Sequence, residues 1–452
     1  MKRNLLFIMT DHQRADSIGM VQCGREVTPN LNRLAAGSLR FTRAYNTCPL
    51  CVPARTALAT GRYPTENGVT WNDWRGHTAG HFPTIHTVLR DAGYRVAQVG
   101  VNHVSVQPMP REQGLDFFYD QQDYDDMLTE QGISPKRRPQ DADGVTELLN
   151  GEYVERHYSN ANTSVFEHPS ELFKDAVFTE KALSFLDKLE EGGEERPFAL
   201  FLYLWAPHPP LIVPPEYASL YDPQQLVLPE NVGVPALGES PARRRGVPAQ
   251  LAGERDEAEW RRIWAAHLGL VSYADHLLGK AIDRVRQISP EAAILFTVDH
   301  GEALGQQKLY QKMEMYEPSV RIPLLLNLPG EEGKELSAPV SHLDVLPTLC
   351  DLLELPLPDG VEGLSLLGEI PAEREVFSQY SGNPGPGAIR RMIVGPRYKY
   401  VWDEERCREL YDLEADPLET RNIAGENEAL CQELHERCRA YHLAHGDNPA
   451  NW

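Results

Sequence analysis

Residues 4–12 read NLLFIMTDH, an apolar run with the length of a buried β-strand that ends in Asp11. The same pattern recurs at residues 94–100, 198–205 and 292–299. Between these runs, apolar residues recur at helical spacing in residues 29–37, 51–60, 85–92, 170–189, 260–287 and 342–353. Strands that alternate with helices predict a layered α/β domain.

Polar side chains follow these strands where each strand ends. They are Asp11, His103, His208 and Asp299. Because ligands of layered α/β sheets bind at the carboxyl ends of the strands, we expect these four side chains to face one crevice.

Two stretches show little periodicity. Residues 105–169 are polar and rich in Asp, Gln, Pro and Tyr, so we expect long loops over the site. Residues 232–255 predict a second loop. Its run Arg243-Arg244-Arg245 is expected on a solvated surface, with substrate binding as the alternative.

The pattern changes near residue 375. Short strands with turns are predicted at residues 391–394 and 398–402, followed by a final helix from Glu426. We therefore divide the chain into a catalytic α/β domain, residues 1–370, and a small C-terminal subdomain of antiparallel sheet plus helix, residues 371–452.

The composition limits the possible partners. The chain has 452 residues, of which 66 are acidic and 44 basic, and its formal net charge is -22. This charge argues against general affinity for nucleic acid or anionic membranes, and an anionic substrate would need a local positive site.

Cysteine usage and the first residues bear on the compartment. Seven cysteines at scattered positions do not suggest a disulfide framework, which favours a reducing compartment. The first apolar run is too short for a signal peptide, and no apolar stretch approaches the roughly 20 residues that span a bilayer. We expect a soluble cytoplasmic protein.

Residues 51–55 read CVPAR and are followed by TALAT and by GRYP at residues 61–64. Taken alone, the pentapeptide also allows Cys51 to be a buried structural thiol. Cys48 and Cys51 make a Cys-x-x-Cys pair, which is typical of zinc or redox sites. A structural zinc site would need a second ligand pair, and the sequence shows none at suitable spacing.

The motif resembles the sulfatase signature Cys-x-Pro-x-Arg with its downstream Thr-Gly-Arg. Residues 4–16, TPNL at 28–31, DHGE at 299–302 and ELYDL at 409–413 match the family in the same order, over nearly the whole chain. The resemblance implies a sulfuric ester hydrolase with an alkaline-phosphatase-like fold. In that fold a large mixed, mainly parallel sheet lies between helices, beside a smaller C-terminal antiparallel sheet.

The resemblance also implies a modified nucleophile. In sulfatases a separate maturation enzyme oxidises the signature cysteine, here Cys51, to formylglycine, and that enzyme is an implied partner. The hydrated aldehyde has two geminal hydroxyls, of which one attacks sulfur and the other re-forms the carbonyl and expels sulfate. Arg55, one helical turn beyond Cys51, would hydrogen-bond the hydrated aldehyde, with an ordinary surface cation as the alternative.

By the same resemblance one divalent cation is held by Asp11, His12, Asp299 and His300, together with the group derived from Cys51. Each Asp-His pair directly follows a long apolar run, which favours a metal site over strand-end caps. Ca²⁺, the usual ion of the family, is our first choice. Mn²⁺ and Mg²⁺ are alternatives, because imidazoles also suit transition metals.

Three further residues match positions that act on the substrate. His208, in WAPHP at residues 205–209, and Lys312 would bind sulfate and protonate the departing alkoxide. The alternatives are a structural histidine and a solvated lysine. His103, in GVNH at residues 100–103, would accept the proton of the second hydroxyl.

Two departures from the sulfatase pattern and one further resemblance leave the substrate open. His12 stands where sulfatases usually have Asp or Gln, and it can lie behind the ligands instead of binding the ion. Val101 replaces the usual lysine, which weakens contacts to sulfate. Phosphonate monoester hydrolases also lack that lysine, and Trp71-Asn72 resembles their pattern, so Asn72 is a candidate substrate contact or a loop cap.

Three hypotheses follow. The first is a sulfatase acting on a small or carbohydrate sulfate ester or sulfamate. The second is a phosphonate monoester or phosphodiester hydrolase with the same machinery. The third is a non-catalytic relative that binds sulfated ligands, which would follow if Cys51 is never oxidised.

Overall fold

Strands and helices alternate along most of the chain. The computed structural model describes residues 2–134 and 139–452. Its strands are β1 (Leu5–Thr10), β2 (Val21–Gln22), β3 (Arg25–Glu26), β4 (Ser38–Tyr45), β5 (Arg95–Gly100), β6 (Phe117–Tyr119), β7 (Ala142–Leu149), β8 (Glu152–Ser159), β9 (Thr163–Val165), β10 (Phe198–Tyr203), β11 (Leu211–Val213), β12 (Ala293–Val298), β13 (Arg321–Asn327), β14 (Lys334–Leu336), β15 (Val340–Ser341), β16 (Val376–Tyr380), β17 (Arg390–Val394), β18 (Tyr398–Asp403) and β19 (Arg408–Asp412). Its helices are α1 (Pro29–Ala36), α2 (Cys51–Thr60), α3 (Pro64–Asn67), α4 (Ile85–Asp91), α5 (Gln121–Glu130), α6 (Lys174–Glu191), α7 (Pro215–Ala218), α8 (Ala242–Arg245), α9 (Val247–Ala252), α10 (Glu257–Ile288), α11 (Glu317–Val320), α12 (Val345–Leu352) and α13 (Glu428–Ala444).

The central sheet is mixed and mainly parallel. In the described residues it has nine strands, in the order β14-β4-β13-β12-β1-β10-β5-β6, with β15 also paired to β4. Strand β13 runs against both of its neighbours. Every residue of β1, β10 and β12 is buried, as expected for strands that helices cover on both faces.

The helices that cover the sheet form two groups. Helix α10 packs against α1 and α6, and α2 packs against α4 and α12. With the separate antiparallel sheet near the C-terminus, this architecture confirms the predicted fold class.

The four strands predicted from the sequence are neighbours, in the order β12-β1-β10-β5, and they run parallel. Their carboxyl ends therefore meet at one edge of the sheet. Asp11 and Asp299 directly follow β1 and β12, and His103 and His208 lie in the loops after β5 and β10. The candidate site lies at this edge.

The expectation of long loops in residues 105–169 is wrong for most of the described part. Strand β6 extends the central sheet, α5 follows it, and β7 and β8 form a hairpin. Most residues of the hairpin are exposed or only partly buried, and its many polar side chains hid the strand pattern. Its turn, Asn150-Gly151 with φ of 53° and 85°, is the local signal that could have revealed it. Residues 135–138 lie outside the described residues.

The expectation of a solvated arginine run is wrong for Arg243. Two short helices, α8 and α9, occupy this stretch, and Arg243 is 1% exposed. Its guanidinium forms ion pairs with Glu314 at 3.2 Å and Glu409 at 3.3 Å. Both partners are distant in sequence, so the local run gave no sign of them. Arg245, in contrast, has half of its side chain exposed.

The C-terminal part forms the predicted small sheet. Strands β16-β17-β18-β19 are antiparallel, and α13 packs against β17 and β18. The boundary between residues 370 and 371 stays a prediction. Strand β16 is tied to the catalytic part, because the Gln379 N–H donates to the Thr47 carbonyl at 2.9 Å.

The longest helix, α10, has 32 residues and carries charged residues along its length. Within residues 2–134 and 139–452, no helix combines the length and the apolar character needed to cross a membrane.

Candidate active site

Cys51 is the first residue of α2, a helix that is buried along its whole length. The helix tolerates Pro53 in its first turn and ends at Gly61, whose φ is 63°. The Oδ1 atom of Asn72 accepts a hydrogen bond from the Val52 N–H at 3.1 Å, which holds the start of the helix. Cys51 is therefore fixed at the edge where the strands end, with 2% of its surface exposed.

Groups from three other segments surround the Cys51 sulfur. Its Sγ lies 3.1 Å from His300 Nε2, 3.4 Å from Lys312 Nζ and 3.8 Å from Asp11 Oδ1. Burial, and then the charge of Asp11, raises the pKa of this thiol well above its usual range. A thiol that resists ionisation is a poor nucleophile, so the surroundings of Cys51 do not favour thiolate chemistry.

Two buried carboxylates, Asp11 and Asp299, share one guanidinium. Arg55 donates from Nε to Asp299 Oδ2 at 2.8 Å and from Nη2 to Asp11 Oδ2 at 3.0 Å. Burial, and then the charge of Asp299, raises the pKa of Asp11 to about 8. Burial opposes ionisation of Asp299 too, but the charge of Arg55 and its hydrogen bond to this carboxylate outweigh burial and hold the pKa of Asp299 below the usual range. One guanidinium thus leaves the pair incompletely neutralised.

Three imidazoles turn Nε2 toward the centre of the site. In each ring Nδ1 faces an acceptor, which is Glu302 Oε2 at 2.8 Å for His12, the Gly301 carbonyl at 3.0 Å for His300 and the Pro209 carbonyl for His208. Nδ1 therefore carries the proton, and Nε2 can accept a hydrogen bond or bind a metal. Burial lowers the pKa of all three rings, that of His300 to about 3, so they are neutral.

Lys312 supplies positive charge to the centre. It is 4% exposed, and its Nζ contacts Nε2 of His12 and, at 3.3 Å, Nε2 of His208. Because both Nε2 atoms are unprotonated, the ammonium donates to both rings. This burial is inconsistent with a solvated lysine.

His103 lies on the other side of Asp11. Its Nδ1 is 3.7 Å from Asp11 Oδ2, beyond a hydrogen bond, and has no hydrogen-bond partner in the described part of the chain. The ring packs edge-on against Trp74 at 4.5 Å and Trp205 at 6.1 Å between centroids. Burial, and then the charge of Arg55, lowers its pKa well below the usual range, so this imidazole is neutral.

The donor set fits a divalent cation. The ligand atoms of Asp11, Asp299, His300 and Cys51 all lie within 4.8 Å of one another and all four residues are buried. Carboxylate oxygens with one imidazole nitrogen suit such an ion, which would also neutralise the carboxylate pair. His12 belongs to a second possible group with Asp11, Cys51 and His208, but its Nε2 contacts Lys312.

Three residues that shape the site, Glu302, Trp74 and Trp205, were not predicted from the sequence. Glu302 is 1% exposed, and besides His12 it accepts the Gln311 N–H at 2.5 Å. Burial raises its pKa to about 7. Trp74 and Trp205 flank His103. DHGE and WAPHP contain Glu302 and Trp205, but their contacts depend on the fold.

A cavity of ≈ 400 Å³ opens beside His208. Its walls combine aromatic rings with charged groups, and they include Tyr124, Asp125, Phe166, Lys174 and Trp205. The Lys174 ammonium lies over the rings of Trp205, at 4.9 Å, and Tyr124, at 5.5 Å. Such a volume suits a small ligand. Much of its wall comes from residues 105–169.

Known proteins match this chain along nearly its whole length. The family model described as Sulfatase matches residues 3–355, and the one described as N-sulphoglucosamine sulphohydrolase, C-terminal, matches residues 305–443. The choline-sulfatase of Rhizobium meliloti (strain 1021) is 29% identical over 445 residues, which cover 94% of this chain and 82% of that protein.

Two solved structures illustrate the shared fold. The phosphonate monoester hydrolase of Silicibacter pomeroyi has a TM-score of 0.75 and 24% identity, over 98% of this chain and 96% of that one. A protein in complex with its substrate D-glucosamine-2-N,6-O-disulfate has a TM-score of 0.75 and 20% identity, over 99% of both chains. At these identities the similarity shows the fold alone.

Proposed function

Because the chain belongs to the sulfatase family and is a sulfuric ester hydrolase, we propose that it acts through a formylglycine made from Cys51 and one divalent cation. The position of Cys51 carries this proposal. Its Sγ is 3.1 Å from His300 of the candidate metal set and 3.4 Å from the Lys312 ammonium. A nucleophile formed at this position would lie beside both the candidate metal ligands and the Lys312 ammonium, which would bind sulfate.

Asp11, Asp299 and His300 would hold the cation together with the group derived from Cys51. Ca²⁺ is our first choice, and the imidazole nitrogen keeps Mn²⁺ and Mg²⁺ as alternatives. When bound, the ion would lower the pKa of the attacking hydroxyl and polarise a sulfate oxygen. His12 is the least suited of the predicted ligands, because its Nε2 accepts from Lys312.

The chain's own residues then move the protons. A hydroxyl of hydrated residue 51 gives up its proton to solvent, and its oxygen bonds to sulfur while the bond from sulfur to the alcohol oxygen breaks. Lys312 donates a proton to that oxygen, and His208, whose Nε2 accepts a hydrogen bond from Lys312, helps to hold the ammonium beside the sulfate. His103, which is neutral, accepts the proton of the second hydroxyl, the carbonyl re-forms and sulfate leaves.

For Arg55 we propose a role in addition to the expected contact with the hydrated aldehyde. Its hydrogen bonds in the described structure go to Asp11, Asp299 and the Val101 carbonyl at 3.3 Å. We therefore assign it to orienting both carboxylates toward the cation and to favouring their ionised forms.

The natural substrate we propose is a small or carbohydrate sulfate ester or sulfamate. Aromatic and acidic walls beside His208 suit a polyhydroxylated leaving group, and the glucosamine disulfate of the structural neighbour supports this class. All seven cysteines are free thiols, which supports a reducing compartment such as the cytoplasm. The family relationship favours an enzyme over a non-catalytic relative.

A phosphonate monoester or phosphodiester hydrolase is the second candidate. Val101 is 1% exposed and provides no cation where many sulfatases have a lysine. Asn72 uses its Oδ1 to hold α2, so a substrate contact would come from its amide nitrogen. The fold is shared with a phosphonate monoester hydrolase.

Initial rates on an aryl sulfate, a phosphodiester and a phosphonate monoester separate these candidates. All three rates are measured with the same protein preparation, in which Cys51 has been oxidised to formylglycine. We expect the highest kcat/KM with the sulfate. A phosphodiester or phosphonate preference would overturn this ranking while leaving the shared machinery in place.

Mass spectrometry of the peptide that carries Cys51 tests the nucleophile. Active material should contain the aldehyde, and Cys51→Ala should lack both the aldehyde and activity. Cys48→Ala is the matched control, because Cys48 is also buried but belongs to no metal-capable group in the described residues. Full activity with an unmodified Cys51 thiol would refute the mechanism.

A further inference from the structure

The segment between β12 and α11 holds Lys312 in a backbone that residues with side chains rarely adopt. Gln311 and Met313, on either side of Lys312, have φ of 71° and 78°. Such conformations cost energy and persist only where surrounding contacts hold them.

The side-chain contacts of Lys312 do not explain its position. In the described chain its Nζ has hydrogen-bond contacts with His12, His208 and Cys51, and none of these is a carboxylate. Both imidazoles are neutral. The ammonium is therefore held at the centre mainly by the backbone that carries it.

Glu314, two residues after Lys312, anchors this backbone. It is 2% exposed, and its carboxylate lies 3.2 Å from Arg243 Nε and 3.1 Å from Arg390 Nε. A second contact joins Arg390 Nη2 to Glu314 Oε1 at 3.3 Å. Arg390 thus makes two charge-assisted hydrogen bonds to Glu314, and Arg243 makes an ion pair with it. Because both guanidinium groups are buried, these interactions are little screened by water.

A second buried ion cluster holds the far end of the segment. Lys399 of β18 lies 3.1 Å from Glu317 Oε1 and also pairs with Glu419. The Glu317 N–H donates to Glu419 Oε2 at 2.6 Å. The small C-terminal sheet thus contacts the Lys312 segment at two residues, Glu314 and Glu317.

We propose that Glu314 is a positioning residue for Lys312, which it holds through Arg243 and Arg390. The inference rests on the proposed function, in which Lys312 binds sulfate and protonates the leaving oxygen. It gives the C-terminal sheet a part in catalysis, because Arg390 is the first residue of β17.

Glu314→Gln tests the inference, since it keeps the shape of the side chain and removes its charge. We expect kcat/KM to fall about tenfold or more, mainly through kcat, because small misplacements of a catalytic group are costly. The decisive comparison repeats the change in a Lys312→Ala background. There Glu314→Gln should lower the rate less than about twofold, because the group that it positions is gone.

Asp447→Asn is the matched control. Asp447 forms a buried bidentate ion pair with Arg391, and each of the two contacts is 2.7 Å long. Arg391 follows Arg390 in strand β17. This variant should lower the melting temperature and leave kcat unchanged. If Glu314→Gln does not fold, Arg390→Lys replaces it and is measured in the wild-type and Lys312→Ala backgrounds. This variant keeps the positive charge but loses the two-point contact with Glu314.

An equal loss of rate from Glu314→Gln in the wild-type and Lys312→Ala backgrounds would show that Glu314, Arg243 and Arg390 have only a structural role. A folded Glu314→Gln protein with wild-type kcat would also overturn the inference. If Lys312→Ala itself leaves the rate unchanged, the proposed role of Lys312 fails, and the inference fails with it. The three results are distinguishable.

Discussion

Single residues set the chemistry of this site by how they are buried and paired. Asp11 and Asp299 have no surface exposed to water, yet they share one guanidinium. Burial keeps the imidazoles neutral, so Lys312 is the proton donor at the centre of the site. Val101, in contrast, removes a cation that many sulfatases have.

We expect His86 to make the stability of the fold depend on pH. It is buried away from the candidate metal ligands, and its Nε2 lies 3.1 Å from the Tyr203 hydroxyl. Burial lowers its pKa to about 3, against about 6.5 in the unfolded chain. The folded state therefore binds fewer protons, so this stability is present above pH 6.5 and is lost as the pH falls toward 3.

Between pH 7 and pH 5 the loss from this one group should be about 2 kcal/mol. Urea unfolding at both pH values should show a correspondingly smaller change for His86→Gln than for the wild type. Tyr203→Phe is the control, because it removes the hydroxyl but keeps the imidazole, and it should retain the wild-type change. An unchanged pH dependence in His86→Gln would contradict this account.

At the scale of elements, the close approach of β5 and β10 requires glycine at position 100. Gly100 has a φ of 111°, and a Cβ there would lie 1.9 Å from the Tyr203 carbonyl oxygen. We expect Gly100→Ala to lower the free energy of unfolding by about 3 kcal/mol or more, because strain and a backbone clash add.

Gly93 provides the comparison for Gly100. Its φ is 87°, but a Cβ there would meet no atom within 4 Å. Gly93→Ala should therefore cost only about 1–2 kcal/mol, the penalty of the left-handed backbone. Equal losses in the two variants, measured by urea unfolding, would show that the Tyr203 contact does not matter.

The sequence predicted the elements whose pattern is local. Strands β1, β10 and β12 are almost entirely apolar, β5 is apolar except for Arg95 and Gln98, and α2 has the predicted bounds Cys51–Thr60. The hairpin of β7 and β8 was missed, because its exposed strands are polar. Likewise Asp11 and Asp299 could be found from strand ends, whereas the contacts of Glu302 and Arg243 join residues far apart in sequence.

At the scale of the whole molecule, the proposed cation should stabilise the fold. It would bind the folded chain and neutralise the carboxylates of Asp11 and Asp299. An ion present at 1,000 times its Kd adds about 4 kcal/mol to stability, as long as the unfolded chain does not bind it. Chelation should therefore lower the melting temperature by several degrees, and added Ca²⁺ should restore it; Mn²⁺ and Mg²⁺ are compared in the same way.

Two variants assign this shift to the site. Asp299→Asn removes a carboxylate of the candidate set, so the melting temperature should no longer respond to chelation or added ion. Glu66→Gln is the control, because Glu66 belongs to a separate group with Glu362 and His445 near the surface. It should keep the full shift. A shift that survives in Asp299→Asn and vanishes in Glu66→Gln would place the ion at the surface group and remove it from the proposed mechanism.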